Sequence, residues 1–430
     1  MKELVINMYA ELEIKQFGPI KECNLSIKQV TVFTGEQAAG KSTIAKLVYF
    51  FLSLRDVLWH GQINNYDGVE KRSRWYQNID LDIEKYFFRI FGECDLKPDL
   101  YIKYYYGSGE YMEIEQKSKY EIIVSLSPGI EHYLSKWSEE NDNVFDNSDK
   151  WKENLDNLLD NSEYMYIPAG RSASSVFGKI LSNFLLTMDK TQQDLIDFCN
   201  MKYFATIFKL APSYEQGIDN FYLRRWNEFS DKEKDILHKA MSLSEKILRG
   251  SYLNWHGTEK IILSESGEMV DLVNASSGQQ EAVWIINLLI HYIMSPNPAV
   301  IILEEPESHL YPDAQQLITK LISLAGQDNQ IVLTTHSPYV LGELNNMLYA
   351  SRIGNMVGKE KINNIIPECY WLKFNLLKAY HIHNGGASEC VDDEIELIEN
   401  EVIDGASEAI RKEFDDILAI KMENLKDDAN

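Results

Sequence analysis

The stretch GEQAAGKST, residues 35–43, constrains the fold of this chain more than any other part of its sequence. It fits the pattern G-x-x-x-x-G-K-[ST], in which backbone N–H groups surround phosphates, a lysine reaches the β- and γ-phosphates, and a hydroxyl binds magnesium. The apolar segment VTVF leads into the stretch, and TIAKLVYFFLSL follows it with apolar residues at helical spacing. This strand–loop–helix order predicts a nucleotide phosphate site in an α/β fold.

Within this loop the pattern assigns a role to each residue type. Gly35 and Gly40 are its two glycines, which bring the backbone close to the nucleotide. Lys41 is the lysine expected to reach the phosphates, and Ser42 is the expected magnesium ligand. The pattern therefore implies ATP and Mg²⁺ as cofactors.

Composition excludes several classes of protein. With 430 residues, of which 45% are hydrophobic and 25% charged, the chain can bury a large core, so fibrous and disordered classes do not fit. The net charge of -24 disfavours broad electrostatic attraction to nucleic acid or anionic lipid. Five scattered cysteines form no C-x-x-C pair, which suits a reduced cytoplasm. The best apolar run, AVWIINLLIHYIM, is too short for a membrane span, so no membrane contact is expected.

A second motif, Ala275 to Gln279, contains small residues at a predicted helix start. Such residues let backbone amides approach a phosphate while a hydroxyl donates to it, as in the A/L-S-G-G-Q signature. Ser276, Ser277, Gly278 and Gln279 are therefore candidate nucleotide-binding residues. A serine-rich helix cap is the alternative, because Ser and Gly are common at that position.

Acidic residues follow a continuously apolar segment, residues 299–303, which predicts a buried strand. Glu304 and Glu305 stand at its carboxyl end, where open parallel sheets bind ligands. Glu304 is expected to help hold the magnesium hydration shell, and Glu305 to polarise or deprotonate the attacking water. Glu307 is a competing candidate for the base, and a pair of solvated carboxylates is the structural alternative.

The segment QIVLTTHSP predicts a further strand, which ends at His336. An imidazole at this position can hydrogen-bond phosphate oxygens and the attacking water, and so distinguish ATP from ADP. His336 is therefore predicted to act as a switch in catalysis.

Periodicity along the chain predicts an α/β core interrupted by other segments. Antiparallel strands are expected between Trp59 and Tyr133, and one long helix is expected to begin after Ser230 and end at Gly250. The predicted organisation is a first part of the core with the β-rich lobe (1–174), a helical insertion (175–250), a second part of the core (251–350) and an α-rich C-terminal segment (351–430).

The order of these motifs, together with IPAGRS and EEPESHLYP, resembles ABC-type ATPases of the overcoming-lysogenization-defect (OLD) group, of the AAA15 or AAA21 type. These are relatives of the Rad50, RecF and SMC heads. The resemblance covers roughly residues 1–52, 160–175 and 260–350. It implies that Thr43 binds the nucleotide beside Lys41 and Ser42, and that Ser277 and Gly278 act on the nucleotide of a second subunit, in a homo-oligomer. It also implies that Glu305 is catalytic and that His336 is the switch histidine.

Three departures from that group bear on the expected site. Gln37, Ala38 and Ala39 occupy the loop where the group often has Asn-Gly/Ala-Ser, and Tyr311 replaces an aspartate of the loop after the acidic strand. No glutamine stands out as a magnesium contact. Arg171, in the nearby region, is expected to contact the nucleotide or a neighbouring subunit.

After His336 only 94 residues remain (430 minus 336), which is short for a Toprim nuclease domain, and Asp392, Asp393 and Glu394 lie in a helical pattern. Stand-alone relatives resemble the ATPase subunits of two-component antiphage systems such as PARIS and Septu. The resemblance thus implies a separate effector, commonly a nuclease, and a DNA or phage-derived trigger. A DNA-repair ATPase of the RecF or Rad50 kind and a transporter nucleotide-binding subunit are the alternatives.

Overall fold

The computed structural model describes residues 9–65, 69–92, 95–139, 148–160, 162–171 and 196–399. The strands within these ranges are β1 Ala10–Phe17, β2 Ile20–Ile27, β3 Val30–Gly35, β4 Tyr101–Tyr105, β5 Tyr111–Ser118, β6 Glu121–Leu126, β7 Glu163–Ile167, β8 Gly250–Trp255, β9 Thr258–Leu263, β10 Met269–Asp271, β11 Ala299–Glu304, β12 Gln330–Thr334, β13 Leu377–His383, β14 Gly386–Glu389, β15 Val391–Asp392 and β16 Leu397–Ile398.

The α-helices of the same ranges alternate with these strands along much of the chain. They are α1 Lys41–Asn64, α2 Val69–Gln77, α3 Ile79–Phe91, α4 Pro128–Glu139, α5 Ser148–Leu159, α6 Phe198–Leu210, α7 Ile218–Leu223, α8 Asp231–Leu248, α9 Ser277–Met294, α10 Pro312–Ala325, α11 Pro338–Val357 and α12 Lys359–Asn363. No helix in the described part of the chain is long and apolar enough to cross a bilayer.

A six-stranded sheet in the order β14-β13-β3-β12-β11-β7 forms the centre of the molecule. All neighbouring pairs are parallel except β13 with β14. Every residue of β11 is buried, as expected for a parallel strand covered on both faces. Because the strands are parallel, the carboxyl ends of β3, β11 and β12 lie along one edge of the sheet.

Helices and a second sheet cover the two faces of this central sheet. On one face, Phe33, Ile302 and Val332 pack with α1 and with the antiparallel sheet β2-β1-β4-β5-β6. On the other face, Ile301 and Leu333 pack with α8 to α11 and with the small sheet β10-β9-β8. The fold is thus an α/β nucleotide-binding architecture with a β-rich lobe, as the sequence predicts.

The predicted β-rich lobe is confirmed for residues 101–126 but wrong for the region that precedes them. From Trp59 to Phe91 the described chain is helical, comprising the end of α1 and the helices α2 and α3. In α3 the buried residues Ile79, Ile83, Phe87 and Ile90 recur at helical spacing. Their periodicity was available in the sequence, but the polar and aromatic composition around it suggested strands.

The long helix of the insertion, α8, begins as predicted. Ser230 accepts a hydrogen bond from the N–H of Glu233, and the Glu233 side chain accepts one from the N–H of Ser230. The helix ends at Leu248, two residues before the predicted closing residue Gly250; Arg249, and not the glycine, takes the left-handed conformation (φ 48°), and Gly250 opens β8. A Cβ on Gly250 would lie 2.4 Å from the carbonyl oxygen of Ile262, so close strand packing requires this glycine. Residues 172–195 of the predicted insertion lie outside the described residues.

The prediction of an α-rich segment over 351–430 is wrong for much of its described part. Residues 377–398 form two hairpins, and β13 pairs in parallel with β3 of the central sheet. This pairing satisfies the backbone groups of β3 on its second edge, which an uncovered strand would leave unpaired. Asp392, Asp393 and Glu394 therefore lie at a hairpin and not in a helix. Residues 400–430 lie outside the described part of the chain.

Candidate functional site

The predicted phosphate loop connects the end of β3 to the start of α1. Gly35 has φ 134° and Gly40 has φ 114°, a region that favours glycine. A Cβ on Gly35 would lie 2.2 Å from the carbonyl oxygen of Ile382 on β13, and a Cβ on Gly40 would lie 2.5 Å from Cδ1 of Ile20. The loop is therefore held between β13 and the β1–β2 turn.

Helix α1 starts at Lys41 without a side-chain cap, so the amides of its first turn are available to an anion at the positive end of the helix dipole. The buried ammonium of Lys41 donates to the carbonyl oxygens of Gly35 (3.0 Å) and Glu36 (2.7 Å). Burial lowers the pKa of Lys41, while the carboxylates of Glu305, Glu307 and Glu304 oppose that shift. The lysine and the acidic strand end thus belong to one electrostatic cluster.

We expect Gly35→Ala to destabilise the protein by more than about 1 kcal/mol, because the new Cβ would collide with backbone and a positive φ strains any L side chain. The affinity for ATP should fall as well, since the loop itself is displaced. Gly342→Ala is the matched control: a Cβ there meets nothing within 4 Å, and the helical position should gain up to about 1 kcal/mol. Thermal unfolding and calorimetric titration with ATP measure both effects. Equal melting temperatures for the two variants would contradict the described packing.

Glu304 and Glu305 end β11 in different environments. Glu304 is 5% exposed and lies near Tyr166, whose pKa is raised well above 10 by burial and, secondarily, by the Glu304 carboxylate. Glu305 is about one-third exposed, and its Oε1 lies 3.6 Å from Nε2 of His336. Its φ of 41° is unusual for a non-glycine residue and costs on the order of 1–3 kcal/mol. The N–H of Glu305 donates to the carbonyl oxygen of Thr334 on β12 (2.9 Å).

Glu307, the competing candidate for the base, has a different set of partners. Its Oε1 accepts hydrogen bonds from the hydroxyl of Thr335 (2.8 Å) and from the N–H of His336 (2.7 Å). Burial raises the pKa of Glu307, and these hydrogen bonds oppose the rise. Glu307 thus joins the loop after β11 to the end of β12, and Glu305 is the more exposed of the two carboxylates.

His336 lies directly after β12, and 35% of its side chain is exposed. Its backbone is held by Glu307 and its imidazole stands beside Glu305. The structure therefore brings Lys41, Glu305 and His336 to the same edge of the sheet, where they follow the carboxyl ends of the adjacent strands β3, β11 and β12.

The four signature residues divide into two pairs. Ser276 and Gln279 form a capping box at the start of α9, and the Gln279 side-chain amide also donates to the carbonyl oxygen of Leu248 (2.7 Å). Ser277 is exposed on the first turn, next to Gly278. A helix-cap role thus describes Ser276 and Gln279, while Ser277 and Gly278 remain the candidates for contact with a nucleotide.

Gly278 also contacts the loop that follows β11. A Cβ at this position would lie 2.7 Å from the carbonyl oxygen of His309, so only glycine allows the approach. In the same loop Tyr311, which precedes α10, is 72% exposed. The start of α9 and the loop after β11 therefore form one continuous surface.

The expectation that Arg171 contacts the nucleotide or a neighbouring subunit is wrong. Its side chain is fully buried and donates to three backbone carbonyl oxygens, those of Pro168 (2.5 Å), Glu304 (2.6 Å) and Glu305 (2.9 Å). It also forms an ion pair with Glu281 of α9 (3.4 Å). The sequence places Arg171 near the site, but it does not show its partners Glu281, Glu304 and Glu305, which are more than 100 residues away along the chain.

The residues expected to hold magnesium fit a divalent cation. Ser42 presents an exposed hydroxyl on the first turn of α1. The Oε1 atom of Glu304 is buried and accepts no hydrogen bond within the described residues, and such an oxygen suits a hard cation. Magnesium usually keeps several water ligands and binds phosphate oxygens of the substrate, so one or two protein oxygens complete its coordination.

Several solved structures are distantly similar to this chain. A crystal structure of an SMC head bound to the C-terminal winged-helix domain of ScpA is 10% identical, with 89% of this chain and 96% of that chain covered and a TM-score of 0.42. The SMC head domain from Thermotoga maritima is 12% identical, with coverage of 89% and 98% and a TM-score of 0.35. An ATP-binding cassette of an ABC transporter, in its ADP conformation, is 13% identical, with coverage of 92% and 94% and a TM-score of 0.32. No curated protein sequence matches the chain.

The amino-acid sequence also matches a known protein family. The family described as "AAA ATPase domain" matches two overlapping segments, residues 8–197 and 140–341, which together contain the phosphate loop, Glu304, Glu305 and His336. This family implies ATP and magnesium binding and ATP hydrolysis. The chain belongs to the AAA ATPase domain family, and its central sheet and phosphate loop form an α/β fold.

Proposed function

We propose that this protein is an ATP-hydrolysing molecular switch whose nucleotide state controls the grip of a homo-oligomer on a separate effector protein. The observation that carries the proposal is the meeting of Lys41, Glu305 and His336 at one edge of the central sheet. That arrangement supplies a phosphate cradle, a carboxylate for the attacking water and a side chain that can sense the terminal phosphate.

In the proposed reaction, the loop amides and Lys41 bind the phosphates of ATP. Glu305 accepts a proton from the attacking water, and His336 donates a hydrogen bond to the γ-phosphate or orients that water. The water oxygen forms a bond to the γ-phosphorus as the bond to the β,γ-bridging oxygen breaks, which yields ADP and phosphate. Magnesium, when bound by Ser42 and Glu304, neutralises charge on the phosphate oxygens.

A second copy of the chain is proposed to complete the nucleotide site. Ser277 lies exposed at the start of α9, beside Gly278 and the exposed Tyr311. A phosphate bound in a partner's loop could receive the Ser277 hydroxyl and the first-turn amides of α9. ATP would thereby hold two heads together, and hydrolysis would release them.

The effector is proposed on the basis of the OLD-like resemblance and of charge. The motif order resembles ATPase subunits of two-component antiphage systems, in which a separate effector, commonly a nuclease, is held by the ATPase. The net charge of -24 disfavours tight unassisted binding to DNA, because long-range attraction to the phosphate backbone follows the summed charge of the protein. We therefore place this chain in the bacterial cytoplasm as the sensor of such a system, with a DNA or phage-derived trigger.

Co-purification with the products of neighbouring genes tests this proposal. The effector should be retained in the presence of ATP and magnesium, and more firmly by the Glu305→Gln variant, which binds ATP without turning it over. Omitting nucleotide is the control. Tight binding of duplex DNA at physiological salt with no partner present would contradict the effector switch and support the RecF- or Rad50-like alternative.

A further inference from the structure

The guanidinium of Arg171 connects two parts of the site that are far apart in the sequence. One end of the connection is the carboxyl end of β11, where Arg171 donates to the carbonyl oxygens of Glu304 and Glu305. The other end is α9, where Glu281 accepts from the backbone N–H of Arg171 (3.2 Å) and pairs with its Nε (3.4 Å). A single buried side chain therefore bridges the acidic strand end and the signature helix.

Burial makes this bridge stiff. The Arg171 side chain is 0% exposed and that of Glu281 is 4% exposed, so neither charge can exchange its partner for water. The planar guanidinium presents its donors in a fixed fork, so a shift of the carboxylate reorients the whole group. Movement of Glu281 would therefore displace the hydrogen bonds between Arg171 and the carbonyl oxygens that it binds.

The peptide that receives this movement belongs to the proposed catalytic base. Glu305 has a positive φ of 41°, and its N–H is held by the carbonyl oxygen of Thr334. Arg171 holds its carbonyl oxygen, so the two hydrogen bonds together set the direction of the Glu305 side chain. Loss of either contact lets this strained peptide relax.

Glu281 lies one helical turn after Ser277 and Gly278 on α9. A phosphate that binds these two residues pulls on the first turn of the helix, which also rests on the carbonyl oxygen of His309. A rigid helix carries that displacement directly to Glu281. The position of the α9 start and the position of Glu305 are thus mechanically related.

We propose that Arg171 is a positioning residue that transmits engagement of the α9 start to the backbone of Glu305. The inference deepens the proposed function, because it assumes that Glu305 is the base and that α9 engages a nucleotide. In a pair of heads, the start of α9 on one head contacts the partner's nucleotide, while Arg171 adjusts the base for that head's own nucleotide. The two sites of the pair would then hydrolyse ATP in a coordinated manner.

The test compares Arg171→Lys and Glu281→Gln with the control Glu343→Gln. Glu343 is also buried and pairs with Lys320 (3.4 Å), but this pair joins α10 to α11, and neither residue has a role in the proposed site. Arg171→Lys should lower kcat by about tenfold or more, because small misplacement of a catalytic group is costly. Its affinity for ADP, measured by calorimetry, should stay within about twofold of wild type, because the carbonyl oxygens and the carboxylate that Arg171 contacts lie outside the phosphate loop.

Glu281→Gln should lower kcat in the same direction, and the double variant should be no slower than Arg171→Lys, because both residues act through one contact. Glu343→Gln should leave kcat unchanged. If Arg171→Lys does not fold, the test is the comparison of kcat between Glu281→Gln and the control Glu343→Gln. The inference is overturned if kcat of Glu281→Gln equals that of Glu343→Gln, or if the two site variants multiply in the double variant. Absence of magnesium-dependent turnover in the wild-type protein would instead overturn the proposed function.

Discussion

Replacing Glu305 with glutamine should lower ATP turnover by at least about 100-fold, the usual effect of removing a general base. ATP should remain bound, because the cradle formed by Lys41 and the loop amides is unchanged. Glutamine has nearly the same shape and can still accept the Ser308 hydroxyl that now donates to Glu305. Phosphate release and retention of radiolabelled ATP measure the two parts of this expectation.

Glu307→Gln serves as the control, because Glu307 was the competing candidate. A glutamine oxygen at this position can still accept from Thr335 and from the N–H of His336, so turnover should fall much less than in Glu305→Gln. The reverse pattern, with full turnover in Glu305→Gln and loss in Glu307→Gln, would reassign the base to Glu307.

Mixing two inactive subunits should restore activity if the nucleotide site forms between copies of the chain. Lys41→Ala disables the phosphate loop, and Ser277→Arg disables the start of α9, so each variant alone should be inactive. In an equal mixture half of the dimers are mixed, and each carries one intact composite site. Roughly a quarter of wild-type turnover is therefore expected.

Native mass measurement of differently tagged subunits establishes whether mixed oligomers form. Each variant alone, at the same total protein concentration, is the control and should stay inactive. Mixed oligomers without recovered turnover would show that Ser277 does not serve a partner's nucleotide. Full activity of the Ser277→Arg protein on its own would lead to the same conclusion.

Short-range features of this molecule were predictable because their physical causes are local. The loop from Gly35 to Thr43 needs its glycines, its lysine and a following helix within nine residues, and all of these are visible in the sequence. The helix start after Ser230 was predicted in the same way, although the reciprocal hydrogen bond of Glu233 was seen only in the structure. Parallel strands bring their carboxyl ends to one edge, so the neighbourhood of Glu305 and His336 could also be expected.

Other features depend on partners that no local pattern specifies. The sequence shows Arg171 as a charged residue after a strand, which usually indicates solvent or a ligand, yet three carbonyl oxygens and Glu281 surround it in the fold. Likewise, Gly250 resembles a helix-ending glycine in the sequence. In the fold, a side chain at this position would collide with the carbonyl oxygen of Ile262.

By itself, then, the sequence determined the identity of the phosphate loop, the strand-end acids and the histidine beside them, because each is a short pattern with its own chemistry. The tertiary structure alone decided how the carboxylates differ in accessibility, because only packing shows that Oε1 of Glu307 accepts from Thr335 and His336 while Glu305 stays accessible. It also decided that β13 completes the sheet beside β3, since backbone pairing between residues 347 positions apart (377 minus 30) depends on the whole fold.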